Sequence, residues 1–208
     1  MSQQIRQHHI SEGMSALAQL DPHVQQALTQ VGEPLSRHRP PGFRTLVATI
    51  VSQQISTEAA NAIMGRVEVL LPQLSPEDII HISEEALREA GLSRRKVEYT
   101  KGLAEAIIDR KICLESFSRQ SDEEVIHHMT QLRGFGRWSA EIYLMFSLGR
   151  LDIFPADDLA IRIALGKLKG LEEKPTPAQA RAMVAHWAPY RSIGSLFLWH
   201  YYRGAPDV

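Results

Sequence analysis

The sequence predicts an all-α protein, on three observations. Apolar residues recur at helical spacing through most of the chain. Serine or threonine starts and glycine or proline stops punctuate that pattern. No stretch alternates apolar and polar residues over the length a strand pair requires.

Leu46, Ile50, Val51, Ile55, Ala59, Ala62, Ile63, Val67 and Leu70 follow helical spacing, so residues 45–71 read as one helical region closed by Pro72. Ser75-Pro76-Glu77-Asp78 supplies an N-cap, a proline for the first turn and acids that suit the positive end of a helix dipole. That helix is predicted to run to Ala90 and to stop at Gly91. Ser93 caps the next, whose Val97, Leu103, Ala104, Ile107 and Ile108 face largely inward. Ser121-Asp122-Glu123-Glu124 is a capping box for a helix to about Thr130. Thr176-Pro177-Ala178-Gln179 starts another, leading to Trp187. The chain has no repeat of fixed period, no low-complexity tract and no long linker.

A length of 208 residues admits one sizeable core or two small lobes sharing a cleft, and 44% hydrophobic with 23% charged residues is ordinary for a globular protein. No apolar run approaches the roughly 20 residues of a membrane span, and the polar start MSQQIRQHHI is unlike a signal peptide. A cytoplasmic or nucleoid location (nuclear in a eukaryote), no membrane partner and a monomeric state are the expectations. The single Cys113 excludes an internal disulfide and any four-cysteine iron–sulfur or zinc site; between Ile112 and Leu114 it is predicted to be a buried, inert thiol. The adjacent pairs His8-His9 and His127-His128 point about 100° apart on a helix and do not chelate together. The net charge of −1 is low for a nucleic-acid binder, although a local positive face suffices. Arg94-Arg95-Lys96, Arg133, Arg137, Arg162, Lys167 and Lys169 are separated in sequence from the acids Glu84-Glu85 and Asp122-Glu123-Glu124. That separation fits a one-sided DNA footprint; scattered solvated helix faces are the alternative.

Two segments carry chemistry. In Leu132-Arg133-Gly134-Phe135-Gly136-Arg137-Trp138-Ser139-Ala140 two glycines flank a phenylalanine between helices, and the following helix N-terminus aims N–H groups outward. This suits a phosphate without reading sequence, although a plain corner between helices also needs glycine. Phe154-Pro155-Ala156-Asp157-Asp158 offers acids at a helix start, and spacing alone does not separate a reactive carboxylate from a cap. The order and spacing of these segments, with Ser52-Gln53-Gln54-Ile55-Ser56 before them and Pro189-Tyr190-Arg191-Ser192 after, resemble the helix-hairpin-helix base-excision glycosylases, in particular the DNA-3-methyladenine glycosylase II branch. The resemblance spans roughly residues 12 to 203.

The resemblance implies an all-helical fold of two lobes around a DNA-binding cleft: residues 1–45 with 141–208, and residues 46–140 ending in the hairpin. It implies the compact form, without the N-terminal β domain of longer relatives. It makes Asp158 the catalytic carboxylate and Asp157 the cap, Trp138, Tyr190 and Ile142 the base pocket, and Gln54 the wedge with Gln53 in support. Ile142 stands where some relatives have a tyrosine. Gly134, Phe135, Gly136 and Arg137 meet the DNA backbone, and the carbonyls of Thr130, Leu132 and Phe135 hold Na+ or K+, with no organic cofactor. Trp138 replaces the lysine of lyase-competent relatives, which implies a monofunctional glycosylase. The substrate would be double-stranded DNA carrying alkylated bases: 3-methyladenine and 7-methylguanine, with 1-methyladenine and ethenoadenine as further candidates. The alternative is a non-catalytic helix-hairpin-helix protein that binds damaged or bent DNA. Arg94, Arg95 and Lys96 read as an interhelical stretch within reach of backbone phosphate.

Overall fold

The computed structural model of the protein describes residues 4–204, and among them the regular elements are helices, with no strand. In chain order the α-helices are α1 (Gln7–Leu20), α2 (Pro22–Val31), α3 (Phe43–Ser52), α4 (Thr57–Leu70), α5 (Pro76–His81), α6 (Glu84–Glu89), α7 (Arg94–Ile108), α8 (Asp122–Thr130), α9 (Arg137–Phe146), α10 (Leu159–Leu168), α11 (Pro177–Met183) and α12 (Arg191–Gly204). Short 3-10 helices lie at Leu114–Arg119 and Ala185–Trp187.

The chain forms two compact units. One takes the described residues up to His38 with those from Glu141 onward, and the other is Arg39–Ala140. The first boundary lies at 38/39 instead of 45/46, because α3 and its N-cap Gly42 belong whole to the central unit.

Helix starts follow the side chains that can accept orphan N–H groups. Ser93 accepts from Lys96 N, and Ser75, Ser121 and Thr176 form capping boxes with Asp78, Glu124 and Gln179. Gly91, at φ +110°, ends α6. Arg94, Arg95 and Lys96 are the first turn of α7 and not an interhelical stretch. Two expected continuous helices are broken. Residues 45–71 divide at 53–56, where Ser56 caps α4 by accepting from Ala59 N. The helix from Pro76 divides at Ile82, where Ser83 caps α6 by accepting from Ala86 N, while Lys101 Nζ donates to the carbonyls of Ile79, Ile80 and Ile82 at the end of α5. Apolar periodicity persists across both breaks because both flanking helices face the same core; the caps decide where the backbone turns. Cys113 is exposed and not buried: it precedes the 3-10 turn with its thiol 3.3 Å from Glu115 Oε2, while Ile112 takes the inward position.

The central unit buries Leu46, Ile50, Val67, Ile79, Leu87, Leu103, Phe117 and Met129. The terminal unit buries Ile10, Met14, Leu17, Ile161, Leu165, Trp187 and Phe197. Each such side chain contributes about 1.5–3 kcal/mol of transfer free energy. Among the described residues, two acids are buried in the terminal unit, Asp21 and Glu141. Asp21, 1% exposed, caps α2 through His23 N and accepts from Lys169 Nζ at 2.5 Å and Trp187 Nε1 at 2.8 Å. Burial pushes its carboxyl up, but the hydrogen bonds from Lys169 and Trp187 outweigh that and hold it below its ordinary value.

Because this carboxyl binds its proton more weakly folded than unfolded, its contribution is fully present above about pH 4 and is lost as the pH falls through the folded value. Asp21→Asn keeps a carbonyl for Trp187 but leaves Lys169 without its anion, so it should cost about 3 kcal/mol at neutral pH. It should also remove part of the acid dependence of unfolding; urea titrations at pH 7 and pH 3 measure both.

Candidate functional site

The hairpin lies in the central unit between α8 and α9. Leu132 N donates to Met129 O and Phe135 N to Leu132 O, both at 3.1 Å, which closes a tight turn. Gly134 sits at φ +92°, and a Cβ built there would lie 2.4 Å from Tyr99 Cδ2, so both backbone conformation and space require glycine. Phe135 and Leu132 are buried beneath the turn. The Phe135 N–H is used inside the turn, while Gly136 and the opening residues of α9, Arg137 and Trp138, are exposed. Trp138, in the first turn of α9, is 41% exposed.

Arg133 pairs with Glu98, and Arg137 Nη2 lies 3.0 Å from Glu123 Oε1. The acids are therefore not segregated from the hairpin's basic residues as their separation in sequence implied. Three of the other basic residues are also engaged, and Lys167 is exposed: Lys96 Nζ donates to Val51 O, Arg162 to Pro175 O, and Lys169 to Asp21. Arg94 and Arg95 are exposed.

The glutamine turn belongs to the same unit. Gln53 ends α3 and sends Nε2 to Gly134 O at 2.8 Å, which ties this turn to the hairpin across 81 residues of sequence. Gln54 is exposed and holds φ +59°, a left-handed conformation costing a non-glycine residue about 1–2 kcal/mol. Gln54 thus combines an exposed polar side chain with a left-handed backbone next to an anchored neighbour.

The acid lies in the terminal unit on a rigid mount. Arg191, opening α12, meets Asp152 at 2.7 Å with both Nε and Nη2, and these hydrogen bonds hold the Asp152 carboxyl below its usual range. Ser192 Oγ accepts from Ile153 N at 2.9 Å and donates to Arg150 O at 2.7 Å. Buried Phe154, Pro155 and Ala156 follow, and Asp158 N donates to Pro155 O. Asp158 is the cap of α10, with Oδ1 3.0 Å from Ile161 N. Asp157, expected as the cap, is instead exposed and pairs with Arg181 at 3.3 Å; Arg181 also lies 3.8 Å from buried Glu141.

The ring brought to Asp158 is Trp199, whose Nε1–H donates to Oδ1 at 3.2 Å. Trp199 stacks on Phe146 with centroids 5.8 Å apart. Sequence reasoning missed it: an aromatic on an apolar helix face reads as core, and only the fold brings it to an acid 41 residues earlier. Tyr190 stands at the opposite end of α12, half-buried, its carbonyl accepting from Gly194 N. Trp199 lies nine positions further along, about 13 Å along the axis. Ile142 is buried on α9.

A family model described as the HhH-GPD superfamily base excision DNA repair protein matches residues 47–189. The chain is 37% identical over 161 residues to DNA-3-methyladenine glycosylase 1 of Schizosaccharomyces pombe, covering 76% of this chain and 71% of that protein. Among solved structures it is similar to a Schizosaccharomyces pombe 3-methyladenine DNA glycosylase in complex with abasic DNA (TM-score 0.84, 33% identity, covering 95% of this chain and 99% of that one). It is also similar to a DNA-3-methyladenine glycosidase from Bacillus halodurans (TM-score 0.82, 33% identity, covering 93% and 88%).

Gly134→Ala should destabilise the central unit by about 2 kcal/mol, combining backbone strain with the Tyr99 clash. Tyr99→Ala in the same chain should recover the steric part only, leaving the double variant more stable than the sum of the two losses; denaturant midpoints measure the coupling.

Proposed function

We propose that this chain, which belongs to the HhH-GPD superfamily of base excision DNA repair proteins, is a monofunctional DNA glycosylase that hydrolyses the N-glycosidic bond of alkylated bases in double-stranded DNA. The observation that carries the reading is Asp158, an acid held by Ile161 N–H and the Trp199 indole on a segment braced by Arg191 and Ser192.

Reaching the glycosidic bond requires the nucleotide to leave the stack. Gln54 enters the gap and hydrogen-bonds the orphaned partner base, with Gln53 behind it. The hairpin and the N-terminus of α9 hold the backbone at Gly134, Phe135, Gly136 and Arg137, through main-chain dipoles that ignore sequence. The exposed ion pairs of Arg133 and Arg137 are each worth about 0–1 kcal/mol, so either guanidinium exchanges its carboxylate for a phosphate at little cost.

Cleavage develops oxocarbenium character on the sugar, and the Asp158 carboxylate stabilises that charge and orients the attacking water. A base quaternised on the ring, such as 3-methyladenine or 7-methylguanine, departs neutral and needs no strong acid. The electron-rich faces of Trp138 and Tyr190 favour such a cation by about 0.5–2 kcal/mol, and Ile142 adds an apolar wall. Residue 138 carries an indole and no amine, so no Schiff base forms there and the product is an abasic site. The protein acts as a monomer on chromosomal DNA, in nucleoid or nucleus.

The end of α8 fits the monovalent cation of the family. Thr130 closes a helix whose terminal carbonyls carry the negative end of the dipole, and neutral carbonyl oxygens suit a singly charged ion. Thr130, Leu132 and Phe135 would hold Na+ or K+, which would add positive charge behind the phosphate.

Asparagine caps a helix as well as aspartate, so Asp158→Asn leaves α10 intact and removes only the charge. On methylated DNA, chromatography of released bases should show 3-methyladenine and 7-methylguanine freed by the wild type and at least about a hundredfold less by Asp158→Asn, with lesion binding retained. Borohydride should trap no protein–DNA adduct. A wild type that binds alkylated DNA and frees no base would make the protein a non-catalytic binder.

A further inference from the structure

We infer that Lys96 is a positioning residue for base extrusion: it fixes the glutamine turn at a set place relative to the hairpin and does not touch DNA phosphate. The inference rests on the reading of Gln54 as wedge.

Lys96 is half-buried at the start of α7, and its Nζ donates to Val51 O at 2.8 Å. Val51 belongs to the last turn of α3, whose carbonyls have no intrahelical partner, so the ammonium acts as a cap two residues before Gln53. Burial lowers its pKa, as an ammonium drawn in from solvent requires. Tyr99 lies one turn further along the same face of α7 and fills the space over Gly134. Gln53 Nε2 closes the circuit on Gly134 O. One helix face thus braces both turns: Lys96 holds the end of α3, Tyr99 holds the hairpin, and Gln53 links them.

The brace has a purpose if one turn grips a phosphate while the other enters the stack. A probe displaced relative to its anchor no longer meets the gap beside the extruded nucleotide. The left-handed conformation of exposed Gln54 is not supported by burial of its own side chain, so the hydrogen bonds at Val51 and Gln53, just before it, have to hold it. Loss of the Lys96 bond should therefore be felt where extrusion is costly and little where the lesion has no pairing partner.

The test is single-turnover release of 7-methylguanine from a duplex with the lesion opposite cytosine or opposite a tetrahydrofuran abasic analogue. Lys96→Met keeps the aliphatic stem. It should slow release opposite cytosine about tenfold, the effect of one hydrogen bond to a charged group, and less than about twofold opposite the analogue. Gln53→Glu, which cannot donate to Gly134 O, should share the loss opposite cytosine. The salt dependence of DNA binding should be unchanged by Lys96→Met. An equal loss in both contexts, or a salt slope shallower by about one phosphate contact, would overturn the inference. Gln54→Ala in the same assay separates the failures. If it shows the context dependence and Lys96→Met does not, the positioning role falls alone; if it shows none, the wedge reading falls. A wild type that frees no base in either duplex removes the glycosylase reading itself.

Discussion

The carboxylate of Asp158 is a helix cap to which the proposed function assigns a second task, and the segment that carries it is held at several points. One of its oxygens closes the first turn of α10 through Ile161 N and also receives the indole N–H of Trp199. A carboxylate bonded from two directions has its rotamer fixed before any substrate arrives, which is what electrostatic stabilisation of a developing cation demands. Capping and catalysis are thus compatible, because an anion at a helix N-terminus is stabilised by the same dipole that needs the cap. The bracing extends outward: Arg191 on Asp152 and Ser192 on Arg150 and Ile153 pin the strand of chain that delivers the acid.

The central unit follows the same logic with different chemistry. The two turns proposed to meet DNA are backbone structures, a glycine hairpin and a left-handed glutamine. Backbone turns need outside support, which comes from Tyr99 packed over Gly134, Lys96 on the end of α3 and the Gln53 bond between them. The near-neutral charge is consistent with this design. Where phosphate is met by N–H groups and a helix dipole, few free cations are needed, and the arginines beside the hairpin rest on exposed carboxylates.

The legible parts of the sequence were those whose physics is local. Ser93, Ser121 and Thr176 cap the helices they were expected to cap, since the decisive bond lies within three residues. The helix breaks at 53–56 and 82–83 were not legible, because apolar periodicity records which face is buried and not where the backbone turns. Asp157 and Asp158 both stood at a helix start; the cap falls to Asp158, which accepts from Ile161 N, while Asp157 turns to Arg181, a partner 24 residues away that local spacing did not show. Cys113 was misread from apolar neighbours, one of which took the buried position. The charge segregation failed for a related reason: Glu123, of the acidic run at 122–124, is folded against Arg137 of the hairpin.

The central claim is that the Asp158 anion stabilises positive charge on the sugar. Binding of duplexes carrying a cationic pyrrolidine abasic analogue or its neutral tetrahydrofuran counterpart measures that most directly, because the cation imitates the charge of the transition state. The wild type should bind the cationic duplex at least about tenfold more tightly than the neutral one, and Asp158→Asn should bind the two alike. An equal preference for the cation in both proteins would contradict the account.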